Sequence, residues 1–242
     1  MHGVGHYLCT IIVLPLDAGL VQSWLPDELE LAPQSITPPG THPVNILFGD
    51  ERNVHINIFP FFHIDYMEFA FVIPFVQWKQ PKNAYRGPFL FTPLLFLNKE
   101  LPILAGKILY GYPKRKAVMT SVDGHYRVVE EGNLIISGDF ETTAQHPTEA
   151  EFNTLNSLLQ QPDISQSLFG PFVCAVFDWK LTPAKITARQ ADIDIVAGLL
   201  PNQPELKQAV GGFDFSQGAA YFLDTVWTLT MPMPCGWLKD GG

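Results

Sequence analysis

The stretch GYPKRKA (111–117) sets three cations in a row, Lys114, Arg115 and Lys116, inside an apolar neighbourhood, LAGKILYGYPKRKAVM. The chain as a whole carries a net charge of −9. Its densest positive cluster thus sits among its greasiest residues. Pro113 pushes Tyr112 towards an extended conformation. In an extended strand Lys114 and Lys116 share one face and Arg115 points the other way. A solvated turn would explain the cluster without chemistry. A nucleophilic amine would explain it as well. A free lysine, with pKa ~10.4, is only about 0.04% neutral at pH 7. Lowering that value by ~4 corresponds to ~5.5 kcal/mol of bias against the ammonium. Apolar burial supplies such a bias, and so does a nearby cation; Arg115 cannot lose its charge. A neutral amine condenses with a ketone to an iminium, which accepts electrons from a breaking carbon–carbon bond.

Glu68 is the second candidate. In MEFAFVIPFV (67–76) one strand face carries Met67, Phe69, Phe71 and Ile73, and the other carries Glu68, Ala70 and Val72. Burying an unpaired carboxylate costs several kcal/mol, so a buried Glu68 is paired, protonated or at a cavity. An edge position would instead leave it in solvent. Inside a ligand cavity a raised pKa would suit proton transfer.

The elements that position these groups read mostly as strands. VHINIF (54–59), MEFAFVIPFV (67–76), HYRVVE (125–130), NLIISGDF (133–140), FVCAVFDWK (172–180), KITARQADIDI (185–195) and YFLDTVWTLT (221–230) are rich in β-branched and aromatic residues. Gly132-Asn133 reads as a hairpin turn, and Pro60, Pro74 and Pro93 as marks of bulges or edges. Two segments read as helices. Asp17 caps one carrying Leu20, Trp24 and Leu25 on one face. Thr148 and Glu151 form a capping box ahead of Phe152, Leu155, Leu158 and Leu159, with Pro162 beyond. The expected fold is mainly β (β-rich α+β), an antiparallel closed barrel-like sheet or sandwich with a few short helices, in a single domain over 1–242.

Composition excludes some classes. With 47% apolar and 16% charged residues in 242, the chain is globular with much interior or subunit interface. Its acidic balance argues against nucleic acid as a partner. No run of eighteen apolar residues crosses a membrane. Cys9, Cys174 and Cys235 give neither a disulfide framework nor a zinc pattern, and His6 with Cys9 forms an HxxC without a second pair. The expectation is a soluble cytoplasmic protein of a reducing compartment, with no metal site.

GKILYGYPKRKA resembles the acetoacetate decarboxylase signature, in which a Gly-Arg-Glu segment leads to an aromatic-Pro-Lys-Lys turn. The first lysine after that proline is the family's Schiff-base nucleophile, and it corresponds to Lys114. A cationic neighbour activates the lysine in that family. YMEFAFVIPF resembles the segment in which a tyrosine, here Tyr66, precedes the family's catalytic glutamate, here Glu68. DAGLVQSWLPDELEL is similar to the family's early helix, and GAAYFLDTVWTLTMP to its closing strand. The chain departs from the pattern in four places. Arg115 replaces the second lysine. Gly106-Lys107-Ile108 stands where Gly-Arg-Glu is expected. A further active-site glutamate falls on Asn57. His6 or Tyr7 occupies the region of the family's N-terminal arginine. The resemblance implies a multi-subunit (homo-oligomeric), cofactor-independent lyase that decarboxylates a small β-keto acid through an iminium at Lys114. Glu68 would relay the proton, and Arg115 would tune the amine or meet a substrate carboxylate. Asn57, Tyr66, Phe96 and Tyr112 would line the pocket. A Schiff-base aldolase or dehydratase is the alternative within the superfamily. A non-catalytic barrel binding a small apolar ligand is the alternative outside it.

Overall fold

The computed structural model describes residues 1–80, 85–168, 170–195 and 219–238. Gly218, at the head of GAAYFLDTVWTLTMP, lies outside them. In chain order the strands are β1 (His2–Asp17), β2 (Leu29–Leu31), β3 (Thr41–Ile56), β4 (Ile64–Trp78), β5 (Phe89–Leu97), β6 (Lys114–Lys116), β7 (Val118–Val122), β8 (His125–Glu130), β9 (Asn133–Thr142), β10 (Asp163–Gln166), β11 (Phe172–Ala175), β12 (Phe177–Trp179), β13 (Ile186–Ile195), β14 (Ala219–Thr230) and β15 (Met233–Pro234). The helices are α1 (Ala18–Gln22), α2 (Glu100–Ala105) and α3 (Glu149–Leu159), and a single π-helical turn, Gly106–Tyr110, continues α2.

Among the described residues the strands form one fifteen-stranded sheet, ordered β15-β11-β10-β5-β4-β3-β1-β14-β13-β9-β8-β7 with β12, β2 and β6 attached at its side. The protein is mainly β, as expected. Among the described residues the closed, all-antiparallel arrangement does not form. The pairing path ends at β15 on one side and β7 on the other without joining. β10 and β6 run parallel to β5. Helix α2 and its π-helical turn bring the chain back between β5 and β6, which permits parallel pairing where a tight hairpin could not.

Apolar residues occupy both parities of the long central strands, so the sheet buries both faces. Ile12, Leu14, Ile46, Phe48, Phe69 and Phe71 belong to one core. Tyr7, Cys9, Ile11, Leu47, Ala70 and Val72 belong to another, on the opposite parity of the same strands. The site described below lies on this second face. α3 covers part of it with Leu155, Leu158 and Leu159.

Local signals hold at several ends. The Asp17 carboxylate accepts from Leu20 N, and α1 stops at Gln22, before Trp24 and Leu25. The Thr148–Glu151 capping box is complete. The β8–β9 turn sits one residue earlier than expected: Glu130 pairs with Asn133, and Glu131 and Gly132 take positive φ. β4 bends where its pairing with β5 shifts register around Ile73 to Val76, beside Pro74 and Pro93. Cysteine spacing announces no disulfide, yet Cys174 and Cys235 are joined across 61 residues. Pairing of β11 with β15 brings them together, a tertiary contact that spacing does not encode. Among the described residues no helix is long and apolar enough to cross a membrane.

Candidate active site

Three neighbouring strands send alternate side chains into one cavity. Tyr7 on β1 lies directly across from Glu51 on β3, and Glu51 lies directly across from Tyr66 on β4. Glu68 follows Tyr66 by two residues and therefore shares its face. Lys114 enters from β6, in register with Leu95 of β5. The cavity these groups share has a volume of about 390 Å³. Its walls are largely apolar, with Leu47, Ala70, Val72, Leu90, Leu95 and Leu159 among them.

Lys114 is buried, with 8% of its surface exposed. Gly106, in the π-helical turn, leaves the space its side chain fills. Burial pulls the amine below the ordinary lysine value, while the charges of Glu68 and Glu51 pull it back upward. No direct ion pair ties Nζ to another described side chain; its nearest ring neighbour is Tyr112, 5.7 Å away at the centroid. Nζ is thus close to carboxylates without being locked to one.

Glu68 is half-buried, and Tyr7 Oη donates to its Oε1 at 3.3 Å. Desolvation raises the Glu68 carboxyl; the Lys114 charge and the Tyr7 hydrogen bond act the other way. Glu51 is buried and accepts from Trp227 Nε1 through both oxygens, at 3.2 and 3.0 Å. Burial and then the Glu68 charge hold it well above the usual carboxylate range. Asp163, at the start of β10, is a third buried carboxyl in the same cavity. Burial pushes it up strongly, and the Tyr112 hydroxyl offsets part of that. Tyr112 Oη and the Asp163 carboxyl thus face each other, and among the described residues neither Tyr112 Oη nor Asp163 Oδ2 makes a hydrogen bond of ordinary geometry.

Of the residues picked out by sequence, the structure brings Lys114, Glu68, Tyr66 and Tyr112 together around the cavity. Arg115 lies elsewhere. Strand alternation turns it to the opposite face, where Nε donates to Glu130 Oε1 at 2.7 Å and Nη2 pairs with Glu130 Oε2. Its guanidinium also rests over the Phe96 ring, 5.0 Å from the centroid. Arg115 is absent from the influences on Lys114, so burial lowers the amine. Phe96 belongs to the other core. Asn57 is exposed beyond the end of β3 and accepts from His2 N at 3.0 Å. The second glutamate of the cavity is Glu51, six residues earlier. Sequence reasoning also passes over Tyr7 as a cavity group, Trp227 and Asp163.

No protein-family model matches the sequence, and no curated protein does. Solved structures do. An acetoacetate decarboxylase from Legionella pneumophila subsp. pneumophila str. Philadelphia 1 superposes with a TM-score of 0.64 at 15% identity, over 96% of this chain and 85% of that one. The fold is that of acetoacetate decarboxylase. An acetoacetate decarboxylase-like enzyme from Sphingomonas wittichii RW1 gives 0.65 at 14% identity, over 96% and 91%. The enduracididine biosynthesis enzyme MppR, in complex with the condensation product of pyruvate and imidazole 4-carboxaldehyde, gives 0.62 at 14% identity, over 96% and 87%. Acetoacetate decarboxylases and an enzyme of enduracididine biosynthesis thus share this fold and are about equally similar to this chain.

Proposed function

We propose that the chain is a lysine-dependent carbonyl enzyme that makes or breaks a carbon–carbon bond through an iminium at Lys114. The observation that carries this reading is Lys114 itself, an amine buried in an apolar cavity with its pKa lowered by desolvation. A buried lysine facing carboxyls in an apolar pocket is the arrangement a catalytic amine requires. Neutral Nζ attacks the carbonyl carbon, and the resulting carbinolamine loses water to leave the iminium. That cation draws electrons from the neighbouring bond, giving an enamine.

Glu68 stands where it can relay protons, because burial raises its carboxyl above the ordinary value and Tyr7 fixes one oxygen. Glu51, held by Trp227 and raised well above the usual carboxylate range by burial, is a second group in the cavity that can hold or release a proton. Two reactions share this sequence of steps: decarboxylation of a β-keto acid, which the sequence resemblance implies, and aldol-type addition or cleavage. Likeness to MppR and to acetoacetate decarboxylase is a likeness of fold and favours neither reaction.

The test is reductive trapping. The protein is incubated with small ketones and aldehydes in the presence of cyanoborohydride, and modified peptides are mapped. A mass increase confined to Lys114 is the expected result. Labelling spread equally over Lys107 and Lys116, or absent with the whole panel, would end the lysine reading.

A further inference from the structure

The charge balance of the cavity limits what can enter it. Among the described residues lining it, Lys114 is the lone Lys or Arg, and it faces three carboxyls, Glu51, Glu68 and Asp163. His55 stands at the rim, with Nδ1 against the Asn53 carbonyl oxygen at 2.6 Å. Arg115, which would be the natural partner of a substrate carboxylate, is committed to Glu130 on the other face. A carboxylate entering here loses its water and gains no cation apart from the amine that must be neutral to react. Such uncompensated burial costs several kcal/mol. Asp163 and Tyr112, which face each other without a hydrogen bond of ordinary geometry among the described residues, offer polar contacts to a hydroxyl or carbonyl instead.

The mouth of the cavity has a second character. Phe62, Leu101 and Leu109 line it and are exposed at 81%, 65% and 42%. They come from two separate segments, the turn after β3 and the α2/π-helical region, and they are continuous with the apolar walls inside. Exposed apolar surface leading into a pocket marks a place where apolar matter binds.

We propose that the cavity takes an uncharged ketone or aldehyde bearing an apolar chain, its carbonyl at Lys114 Nζ and its chain along Phe62, Leu101 and Leu109. This rests on the lysine reading above and selects, between the two reactions, the aldol type over decarboxylation of an anionic acid. The covalent step balances without a co-reactant. The amine lone pair forms the N–C bond; the carbonyl oxygen takes one proton from that nitrogen and one from solvent, the C–O bond breaks and water leaves, and the iminium keeps the second N–H.

Two experiments separate the proposal from the reading beneath it. In the first, octan-2-one, acetone, pyruvate and acetoacetate compete for Lys114 under cyanoborohydride. Octan-2-one should reach half-maximal labelling at a concentration at least ~10-fold below the other three, since several methylenes are buried. The double variant Phe62→Ser/Leu101→Ser should erase that advantage, so that octan-2-one and acetone reach half-maximal labelling at similar concentrations. Labelling by pyruvate or acetoacetate as strong as by octan-2-one would overturn the proposal. The second experiment needs no iminium: calorimetry with octan-2-ol and with octanoate. Tighter binding of octan-2-ol, by at least ~10-fold, supports the uncharged class even if Lys114 is never labelled. Octanoate binding as well as octan-2-ol would overturn it even if Lys114 is.

Discussion

A methyl group added at Gly106 would lie 2.4 Å from Lys114 Cε and 2.7 Å from its Nζ. The glycine that opens the π-helical turn is therefore what lets the lysine side chain lie in the cavity. What it would meet is the far end of a flexible side chain, not backbone. Gly106→Ala should leave the fold intact and displace the amine. A displacement of about 1 Å at a reacting centre can cost ~10²-fold. We expect reductive labelling of Lys114 to fall by about that factor, with the melting temperature nearly unchanged. Undiminished labelling in the variant would remove Gly106 from the site.

Glu68→Gln separates proton relay from iminium formation. Turnover should drop by at least ~10²-fold if Glu68 shuttles the proton. Labelling should survive. The sign of the accompanying shift is fixed by the structure: Glu68 raises the Lys114 pKa, so its removal lowers that pKa further. The pH midpoint of labelling should move down in the variant. An upward move, or full turnover, would place Glu68 outside the mechanism.

Arg115→Met tests which effect lowers the amine. Burial comes first among the causes at Lys114 and Arg115 is not among them. The labelling midpoint should therefore shift by less than one pH unit, which is ~1.4 kcal/mol. The loss of the partly exposed pair with Glu130 should cost ~1 kcal/mol or less in stability. A larger rise in the midpoint would show that the guanidinium acts on the amine through the sheet.

Asp163→Asn gives a stability signal with a definite slope. The folded-state carboxyl is raised well above 3.8 by burial. Below that value the group is protonated folded and unfolded alike, and contributes nothing to pH dependence. As pH rises above it, the unfolded chain ionises first and binds fewer protons, so stability falls until the folded value is passed. The amide has no such slope. Relative to the parent protein, Asp163→Asn should gain in melting temperature between pH 4 and pH 7. A constant difference across that range would mean that Asp163 titrates normally.

The Cys174–Cys235 disulfide closes a loop with a sequence separation of 61. Chain-entropy arguments assign such a loop about 4 kcal/mol of stabilisation. Reduction, or Cys174→Ser with Cys235→Ser, should lower the unfolding midpoint in denaturant accordingly. Cys9, buried and outside the bridge, should stay unreactive until the protein unfolds. An unchanged midpoint after reduction would show that the pairing contributes nothing.

Lys114 and Glu68 were legible in the sequence for one reason: each is a polar residue in a string whose neighbours have no reason to tolerate it unless something compensates. Glu51 lacked that contrast. It sits in GDERN, a run that reads as a solvated turn, whereas β3 continues through it to Ile56. Its burial depends on Trp227, which is 176 residues away. Asp163 follows the proline that ends a helix, and only the parallel pairing of β10 with β5 turns it inward. Strand existence followed from local composition; closure did not, because it depends on which distant edges meet. The same limit hid the π-helical turn, since GKILY has the apolar content of a strand.

The alternation through Lys114, Arg115 and Lys116 makes this segment tolerant of replacement but not of slippage. Arg115 is anchored outward by Glu130, and Lys116 is paired with Glu100 at the surface. Deleting one residue between Pro113 and Arg115 would deliver a guanidinium to the cavity in place of the amine. That group never becomes a nucleophile at any pH the protein survives. A point change at Arg115 or Lys116 leaves the amine in the cavity, whereas a one-residue deletion ahead of them removes it. A reading frame of side chains, two residues long, is written into β6.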